Sequence, residues 1–173
     1  MPNKRFERDA PPGRRYALDL MRPDNHLQKE LAIFEEEIGK ASDSIYGTLI
    51  AHLYVEHLLD RYLRTRIPHE AKLFGERGLM FSTKLKLAKG FGELDAQLLD
   101  SISKLNSIRN DCSHVFGHQI TNKQVEDLGK TLGSDYKRIL NSYPEAEVGA
   151  IAPIIWHICG KMLRATLEAE GKN

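Results

Sequence analysis

The sequence predicts an all-α protein, built as an up-and-down bundle of four core helices with additional N- and C-terminal helices. Apolar residues recur at intervals of three and four along successive segments, which is the spacing of one helix face. No segment shows the alternation of apolar and polar residues that marks a half-buried strand. Proline, glycine and helix-capping residues separate the periodic segments, where helices begin and end.

Length and composition indicate one globular domain. A chain of 173 residues can bury a substantial core, and 41% hydrophobic with 28% charged residues is typical of a soluble protein. The formal charge of +1 excludes a generally polycationic nucleic-acid binder but leaves room for a local basic patch. No apolar run reaches the roughly 20 residues that span a bilayer, and no signal-peptide core opens the chain. We therefore expect a cytoplasmic protein that does not bind membranes.

The two cysteines, Cys112 and Cys159, lie in helical apolar patterns without a neighbouring set of Cys or His residues. This indicates two reduced, buried thiols rather than a disulfide or a zinc site. We expect no metal site and no cofactor.

Residues 1–24 form a segment of their own, which we expect to be an irregular basic arm before a single helical domain at residues 25–173. Six basic residues stand against four acidic ones around a Pro-Pro-Gly break. The arm either lies on the surface or contacts RNA.

Two helices open the domain. The first follows Pro23, with Asn25 as its N-cap. The second runs from about residue 44 to residue 66, and Pro68 ends it. The apolar face of the first helix comprises Leu27, Leu31, Phe34 and Ile38. The apolar face of the second comprises Ile45, Leu49, Leu53, Leu59 and Leu63.

A short lysine-rich helix follows an irregular segment at residues 67–80. Ser82 is placed to cap this helix. Its apolar residues are expected to pack, namely Leu85, Leu87 and Ala88. Its lysines are expected to project, namely Lys84, Lys86 and Lys89. They either attract phosphates to a neighbouring site or form an ordinary solvated face.

The next helix starts near Asp95 and carries the most informative stretch of the chain. Its apolar face comprises Leu98, Ile102, Leu105, Cys112 and Phe116. Arg109 occupies the position on this face where an apolar residue is missing, and a guanidinium there needs a carboxylate or an anionic ligand. Glu56 interrupts the face of the second helix in the same way, seven residues from both Leu49 and Leu63. We expect Glu56 and Arg109 to pair across the helix interface, unless Glu56 lies at the edge of its face and reaches water.

The last turns of this helix gather polar groups of three kinds. Asn110 and His114 are four residues apart and share one flank, and Arg109 and Ser113 share the core-facing side. A cation, an amide and an imidazole therefore lie together. This combination suits holding or cutting a phosphodiester.

Two further helices are predicted toward the C-terminus. Thr121 and Gln124 form a capping-box pattern for the first, which Pro144 ends. Pro153 fits the first turn of the second. The first carries on one face Val125, Leu128, Leu132, Tyr136 and Ile139. The run at residues 150–158 is more apolar than one exposed face needs, so it either packs in the core or forms a dimer surface.

Arg109 and Asn110, followed by three residues and His114, resemble the signature of the HEPN superfamily (higher eukaryotes and prokaryotes nucleotide-binding). The stretch from Phe81 to Leu94, a short helix and a glycine-bearing break, is similar to the mannitol-operon repressor family and related stand-alone HEPN domains. The resemblance covers roughly residues 42–117. Related sequences usually carry Ala before the histidine, where this chain has Ser113.

The resemblance implies an RNA-binding protein, either a metal-independent endoribonuclease of the toxin or defence type or a binding-only relative. In that role His114 is the acid or base, and Arg109 stabilises the charge on the phosphoryl oxygens. Asn110 orients these two side chains. The supporting residues of this hypothesis are Glu56, Ser113 and Asp111, with the three lysines of the short helix in contact with RNA. The resemblance also implies a homodimer that shares the site between two copies of the motif. An antitoxin or a regulatory protein is the expected further partner.

The alternative hypothesis is a non-catalytic regulator of transcription or a protein-interaction module, like the mannitol-operon repressor family. There Arg109 and Glu56 are a structural pair, and His114 caps the helix or binds a protein. No helix-turn-helix is convincing, so sequence-specific DNA binding is not expected. Phosphate-binding glycine loops and the HExxH and GxSxG patterns do not occur, which argues against P-loop NTPases, zincins and α/β serine hydrolases. The motif does not decide between cleavage and regulation.

Overall fold

A computed structural model of the chain describes residues 25–39, 44–68, 74, 78–116, 118–142 and 151–172. Within these ranges the chain forms seven α-helices and no strand, so the prediction of an all-α fold is confirmed. The helices are α1 (Asn25–Gly39), α2 (Ser44–Arg64), α3 (Phe81–Phe91), α4 (Ala96–His114), α5 (Asn122–Lys130), α6 (Ser134–Ser142) and α7 (Ala152–Ala169). Over the same ranges, no helix combines the length and apolar character needed to cross a bilayer. The predicted arm at residues 1–24 lies outside the described residues.

The core is a bundle of α1, α2, α4 and α7, whose directions alternate along the chain. α2 contacts each of the other three. Residues late in α2 meet the start of α1 and the segment just before α4, so α1 and α4 run antiparallel to α2. They also meet the end of α7, so α7 runs parallel to α2. With α1 these contacts are Tyr54–Phe34 and Arg61–Glu30. With α4 and the segment before it they are His52–Asn106 and Tyr62–Glu93. With α7 they are Leu58–Thr166 and Arg61–Glu170. The helices outside this core, in the described ranges, are α3, α5 and α6.

α7 is buried over most of its circumference because α1, α2, α4 and α6 all pack against it. Every residue from Pro153 to Gly160 is buried. Trp156 is 2% exposed and meets the ring of Phe34 edge-on, with the ring centroids 4.8 Å apart. The apolar run of α7 is therefore core packing rather than a dimer surface. Pro153 lies in the first turn, as predicted.

α2 buries a different side from the predicted one in its first half. Leu53 is 56% exposed, and Ile45 and Leu49 are only half-buried. The buried residues of α2 are Gly47, Thr48, Ala51, His52, Val55, Leu58, Leu59, Tyr62 and Leu63. These residues form the side of α2 that faces the core. Leu53 lies on nearly the opposite side of the helix and is therefore exposed.

The single helix predicted after Thr121 is two helices, α5 and α6. Gly133 separates them with a φ of 59°, a left-handed conformation that glycine adopts without strain. The Thr131 hydroxyl donates to the Leu128 carbonyl at 2.6 Å, which satisfies a carbonyl at the end of α5. The bend keeps most of the predicted apolar face in the core, namely Val125, Leu128, Leu132 and Ile139. The predicted capping box at the start of α5 is confirmed.

Candidate functional site

The site candidate lies where α4 extends past the core. Asp95 caps the start of the helix, and its side chain accepts from the Gln97 backbone N–H at 3.0 Å. The buried residues of α4 are Leu98, Leu99, Ser101, Ile102, Leu105 and Ile108. From Arg109 onward the side chains are half-buried or exposed. The predicted apolar face is therefore wrong at its end, where Phe116 is fully exposed and Cys112 half-buried.

Arg109 is half-buried, and its one hydrogen bond in the described part of the chain goes to its neighbour. Its Nη1 donates to Oδ1 of Asn110 at 3.1 Å. The predicted pair between Glu56 and Arg109 is wrong, since Oε1 of Glu56 instead accepts from Nζ of Lys84 at 2.8 Å. A guanidinium has five N–H donors, so most of those on Arg109 remain for a ligand.

Lys84 does not project from α3, contrary to the prediction. It is 5% exposed and also donates to Oδ2 of Asp60 at 3.0 Å. Burial opposes its charged form, but the hydrogen bonds to Glu56 and Asp60 outweigh burial, and the pKa of Lys84 is raised. The reason is geometric: Glu56 and Asp60 lie one helical turn apart on the side of α2 that faces α3. Lys84 is thus a tether between two helices rather than a phosphate-binding group.

The other two predicted lysines do lie at the surface. Lys86 is exposed, and Lys89 is exposed with its Nζ 3.1 Å from Oδ1 of Asp100. Such a pair at the surface is weak and leaves Lys89 able to exchange partners. The predicted cap of this helix is wrong, because α3 begins at Phe81 and no side chain caps it.

His114 and Ser113 are both exposed on the last turn of α4. The helix ends there, with the Val115 backbone N–H bonded to the Asp111 carbonyl at 3.0 Å. Val115 is 53% exposed beside Phe116. The structure therefore gathers Arg109, Asn110 and His114 on the last two turns, as predicted, with the histidine open to solvent and the arginine partly sheltered.

Asp111 is held by a residue that the sequence analysis assigned only to a helix cap. Nε2 of Gln124 donates to Oδ2 of Asp111 at 2.9 Å and lies 3.3 Å from Nε2 of His118. His118 itself follows α4 in a turn, in which its backbone N–H bonds the Val115 carbonyl at 3.1 Å. Neither Gln124 nor His118 was identified as a site residue. The available signal was the short distance in sequence from the motif to the capping box.

His52 supports the motif helix from behind. It is 1% exposed, and its Nε2–H donates to Oδ1 of Asn106 at 2.9 Å, one turn before Arg109. Its ring packs on Phe81 with centroids 4.4 Å apart. Burial lowers the pKa of His52; the bond to Asn106 opposes this shift and the nearby Arg109 charge adds to it. The side chain is therefore a neutral link between α2 and α4.

The last two turns of α4 thus carry a half-buried cation, an amide and an exposed imidazole, together with the Asp111 carboxylate that Gln124 holds. Such groups can bind a phosphodiester and exchange protons with it. Among the described residues, no group of three His, Cys, Asp or Glu side chains is placed to hold a metal ion. Comparisons with protein-family models, with curated proteins and with solved structures give no match to this chain. The geometry of α4 and its neighbours is therefore the basis for the function that follows.

Proposed function

We propose that this chain is a HEPN-type RNA-binding protein that cleaves RNA without a metal ion at the end of α4. One observation carries the proposal. Arg109 is half-buried with a neutral amide as its partner, while the carboxylate that the sequence offered it, Glu56, is taken by Lys84. The guanidinium therefore keeps N–H donors that can bind an anion from outside the protein. The exposed His114, five residues further along α4, can serve that anion as a proton donor or acceptor.

The proposed reaction is an internal transesterification. A base removes the proton of the ribose 2′-hydroxyl, the resulting oxyanion attacks the adjacent phosphorus, and the bond to the leaving 5′-oxygen breaks. An acid protonates that oxygen, so the products are a 2′,3′-cyclic phosphate and a 5′-hydroxyl. His114 takes a proton role, and Arg109 stabilises the charge that builds on the phosphoryl oxygens. DNA lacks the attacking hydroxyl, so the mechanism itself selects RNA.

The neighbouring residues take supporting roles in this proposal. Asn110 orients the Arg109 guanidinium through its side-chain oxygen. Ser113 offers a hydroxyl on the same exposed turn as His114. Lys86 and Lys89 add positive charge at the surface of α3. We further propose a cytoplasmic toxin or defence role, with an antitoxin as the partner that controls it.

The proposal is tested by incubating the purified protein with total RNA in EDTA and identifying the ends of the products. We expect cleavage that leaves 2′,3′-cyclic phosphates. His114→Ala should reduce the rate by about 100-fold or more, because a positioned acid or base typically contributes that much. The matched control is His57→Ala, which removes an exposed histidine from α2. Uncut RNA with the parent protein, or equal cutting without His114, would refute the nuclease.

A regulatory role is the second candidate, and the exposed end of α4 favours it. Phe116 and Val115 offer apolar surface directly after the motif, on which a partner protein can pack. In that role Arg109 and His114 would bind an acidic segment of the partner. This candidate is supported over the nuclease if the parent leaves RNA uncut but binds a purified regulatory partner, and if Phe116→Ser abolishes that binding.

A further inference from the structure

Asn106 is a polar residue of α4 that the proposed reaction does not use. It lies four residues before Asn110, which in turn lies four residues before His114. Residues four apart on an α-helix differ by about 40° in direction and by about 6 Å along the axis, so these three side chains form a row on one flank of α4. Asn106 and Asn110 are half-buried, and His114 is exposed. The row therefore runs along the surface of the helix.

The buried ring of His52 determines how the Asn106 amide is oriented. Nε2 of His52 lies 2.9 Å from Oδ1 of Asn106, whereas its Nδ1 is buried without a hydrogen-bond partner among the described residues. A proton on Nδ1 would leave a buried donor unsatisfied and would place two acceptors face to face. The proton of the neutral ring is therefore on Nε2, which donates to Oδ1. The Nδ2 group of Asn106 consequently points away from His52.

The Asn110 amide is oriented by a donor as well. A guanidinium only donates, so Nη1 of Arg109 bonds the amide oxygen of Asn110, at 3.1 Å. Within the described ranges, the Nδ2 groups of Asn106 and Asn110 form no hydrogen bond, and neither is a buried atom without a partner. Both Nδ2 groups therefore reach solvent. One flank of α4 thus carries two amides, one turn apart, whose oxygens the protein occupies and whose N–H donors are open.

We propose that Asn106 is a further RNA-binding residue, whose Nδ2 amide donates to a non-bridging phosphate oxygen of the strand that Arg109 and His114 engage. The inference rests on the function proposed above. The open groups of both asparagines are donors, and phosphate oxygens only accept; asparagine is also among the side chains that contact nucleic-acid backbones. Asn106 lies eight residues, or about 12 Å along the helix, from His114. It therefore contacts a neighbouring nucleotide rather than the reacting phosphodiester.

The test replaces Asn106 by aspartate, which keeps an oxygen for His52 and turns the open amide nitrogen into a carboxylate oxygen. The probe is a fluorescein-labelled single strand of 2′-O-methyl RNA, which lacks the attacking hydroxyl and stays uncut. Its binding to the full chain is measured by anisotropy in EDTA at a fixed salt concentration. Asn141→Asp is the matched control, because it adds the same charge at an exposed asparagine of α6. Thermal unfolding of each variant checks that the fold is retained.

We expect Asn106→Asp to raise the Kd about tenfold or more, because it removes a hydrogen bond to a charged group and adds repulsion. Asn141→Asp should leave the Kd near that of the parent. NMR of the parent gives a readout that needs no variant. The side-chain amide signals of Asn106 should shift when the strand is added, and those of Asn141 should not. The neutral ring of His52 should carry its proton on Nε2.

The outcomes separate the two proposals. Equal Kd values for folded Asn106→Asp and Asn141→Asp overturn the inference and leave the proposed function standing. Asn106 amide signals that stay unchanged in saturating strand overturn it too, even if the aspartate variant does not fold. A His52 proton on Nδ1 has the same consequence, because the Asn106 amide would then face the other way. If the parent does not bind the strand, the inference fails, and the cleavage assay on total RNA decides the proposed function separately.

Discussion

At the scale of single residues, Lys84 and Arg109 are two cations near one motif that differ in burial and in hydrogen-bond partners. Lys84 has two carboxylates within hydrogen-bond distance and is nearly buried, whereas Arg109 has an amide. Burying a paired charge is tolerated because its partners replace water. Lys84 is therefore committed to the structure, whereas Arg109 keeps N–H donors that no carboxylate among the described residues occupies.

A double-mutant cycle on Lys84 and Glu56 tests this difference. Lys84→Met should cost about 2 kcal/mol of unfolding free energy, less than a fully buried pair because both carboxylates are partly exposed. The cycle of Lys84→Met with Glu56→Gln should show a coupling of about 1 kcal/mol in urea unfolding. The matched cycle of Arg109→Met with Glu56→Gln should be additive. A coupling between Arg109 and Glu56 as large as that of the lysine would contradict the structure.

His52 gives the fold a dependence on pH. Its folded pKa lies below its ordinary value of 6.5, chiefly because of burial, with Asn106 and Glu56 opposing the shift and Arg109 and Lys84 adding to it. Below pH 6.5 the unfolded chain therefore binds protons that the folded chain does not, and the free energy of unfolding falls as the pH falls. Urea titrations at pH 7, 6 and 5 should show this loss.

His52→Gln keeps an N–H donor for Asn106 and removes the titrating ring, so its stability should fall less steeply over the same pH range. The slope should not vanish, because burial also lowers the pKa of His157. Identical slopes for the parent and His52→Gln would show that His52 does not link protonation to folding.

At the scale of helices, two glycines illustrate when a backbone needs that residue. Gly133 joins α5 to α6 at positive φ, and a Cβ there would lie 2.9 Å from the Gln97 amide. Gly90 lies inside α3 with open space around the position of a Cβ. The first glycine is required by the turn, whereas the second only weakens its helix.

We therefore expect opposite effects of alanine at the two positions. Gly133→Ala should lower the free energy of unfolding by about 1 kcal/mol, because the left-handed conformation is strained for residues with a Cβ. Gly90→Ala should raise it by roughly 0.5–1 kcal/mol, since alanine is the better helix former. Denaturant unfolding of both variants measures this, and a stabilising Gly133→Ala would contradict the described turn.

At the scale of the whole molecule, the question is what completes the site at the end of α4. The homodimer implied by the resemblance to HEPN domains cannot use the apolar run of α7, which the core already covers. The apolar residues next to the motif, Val115 and Phe116, are exposed instead. If two copies share one site, these residues are placed to lie in their interface.

Light scattering at micromolar concentration should then show a dimer, and Phe116→Asp should shift it toward the monomer and reduce RNA cleavage. Leu140→Asp is the control, since Leu140 is a comparably large exposed residue on α6. A parent that is monomeric yet cleaves RNA would exclude a shared site. A dimer unaffected by Phe116→Asp would place the interface elsewhere.

Helix class and most boundaries could be predicted because they depend on neighbours in sequence, and so could some of the caps, although the Ser82 cap of α3 was wrong. The Thr121–Gln124 capping box and the proline in the first turn of α7 are local in this sense, and both are confirmed. Periodicity also located most of the core of α5 and α6. Periodicity was less successful for α2, because a helix that packs against four neighbours buries more than one face.

The residues of the motif are readable from the chain, but their partners are not. Spacing placed Arg109 and Glu56 on inward positions of their helices, yet it carries no information on the rotation of α3, which brings Lys84 to Glu56. The same holds for Gln124, whose cap is local while its contacts with Asp111 and His118 depend on how α5 folds back on α4. A hydrogen bond within one helical turn follows from the order of the residues. A charge pair between helices depends on their packing, since several partners are chemically equivalent and distance alone selects among them.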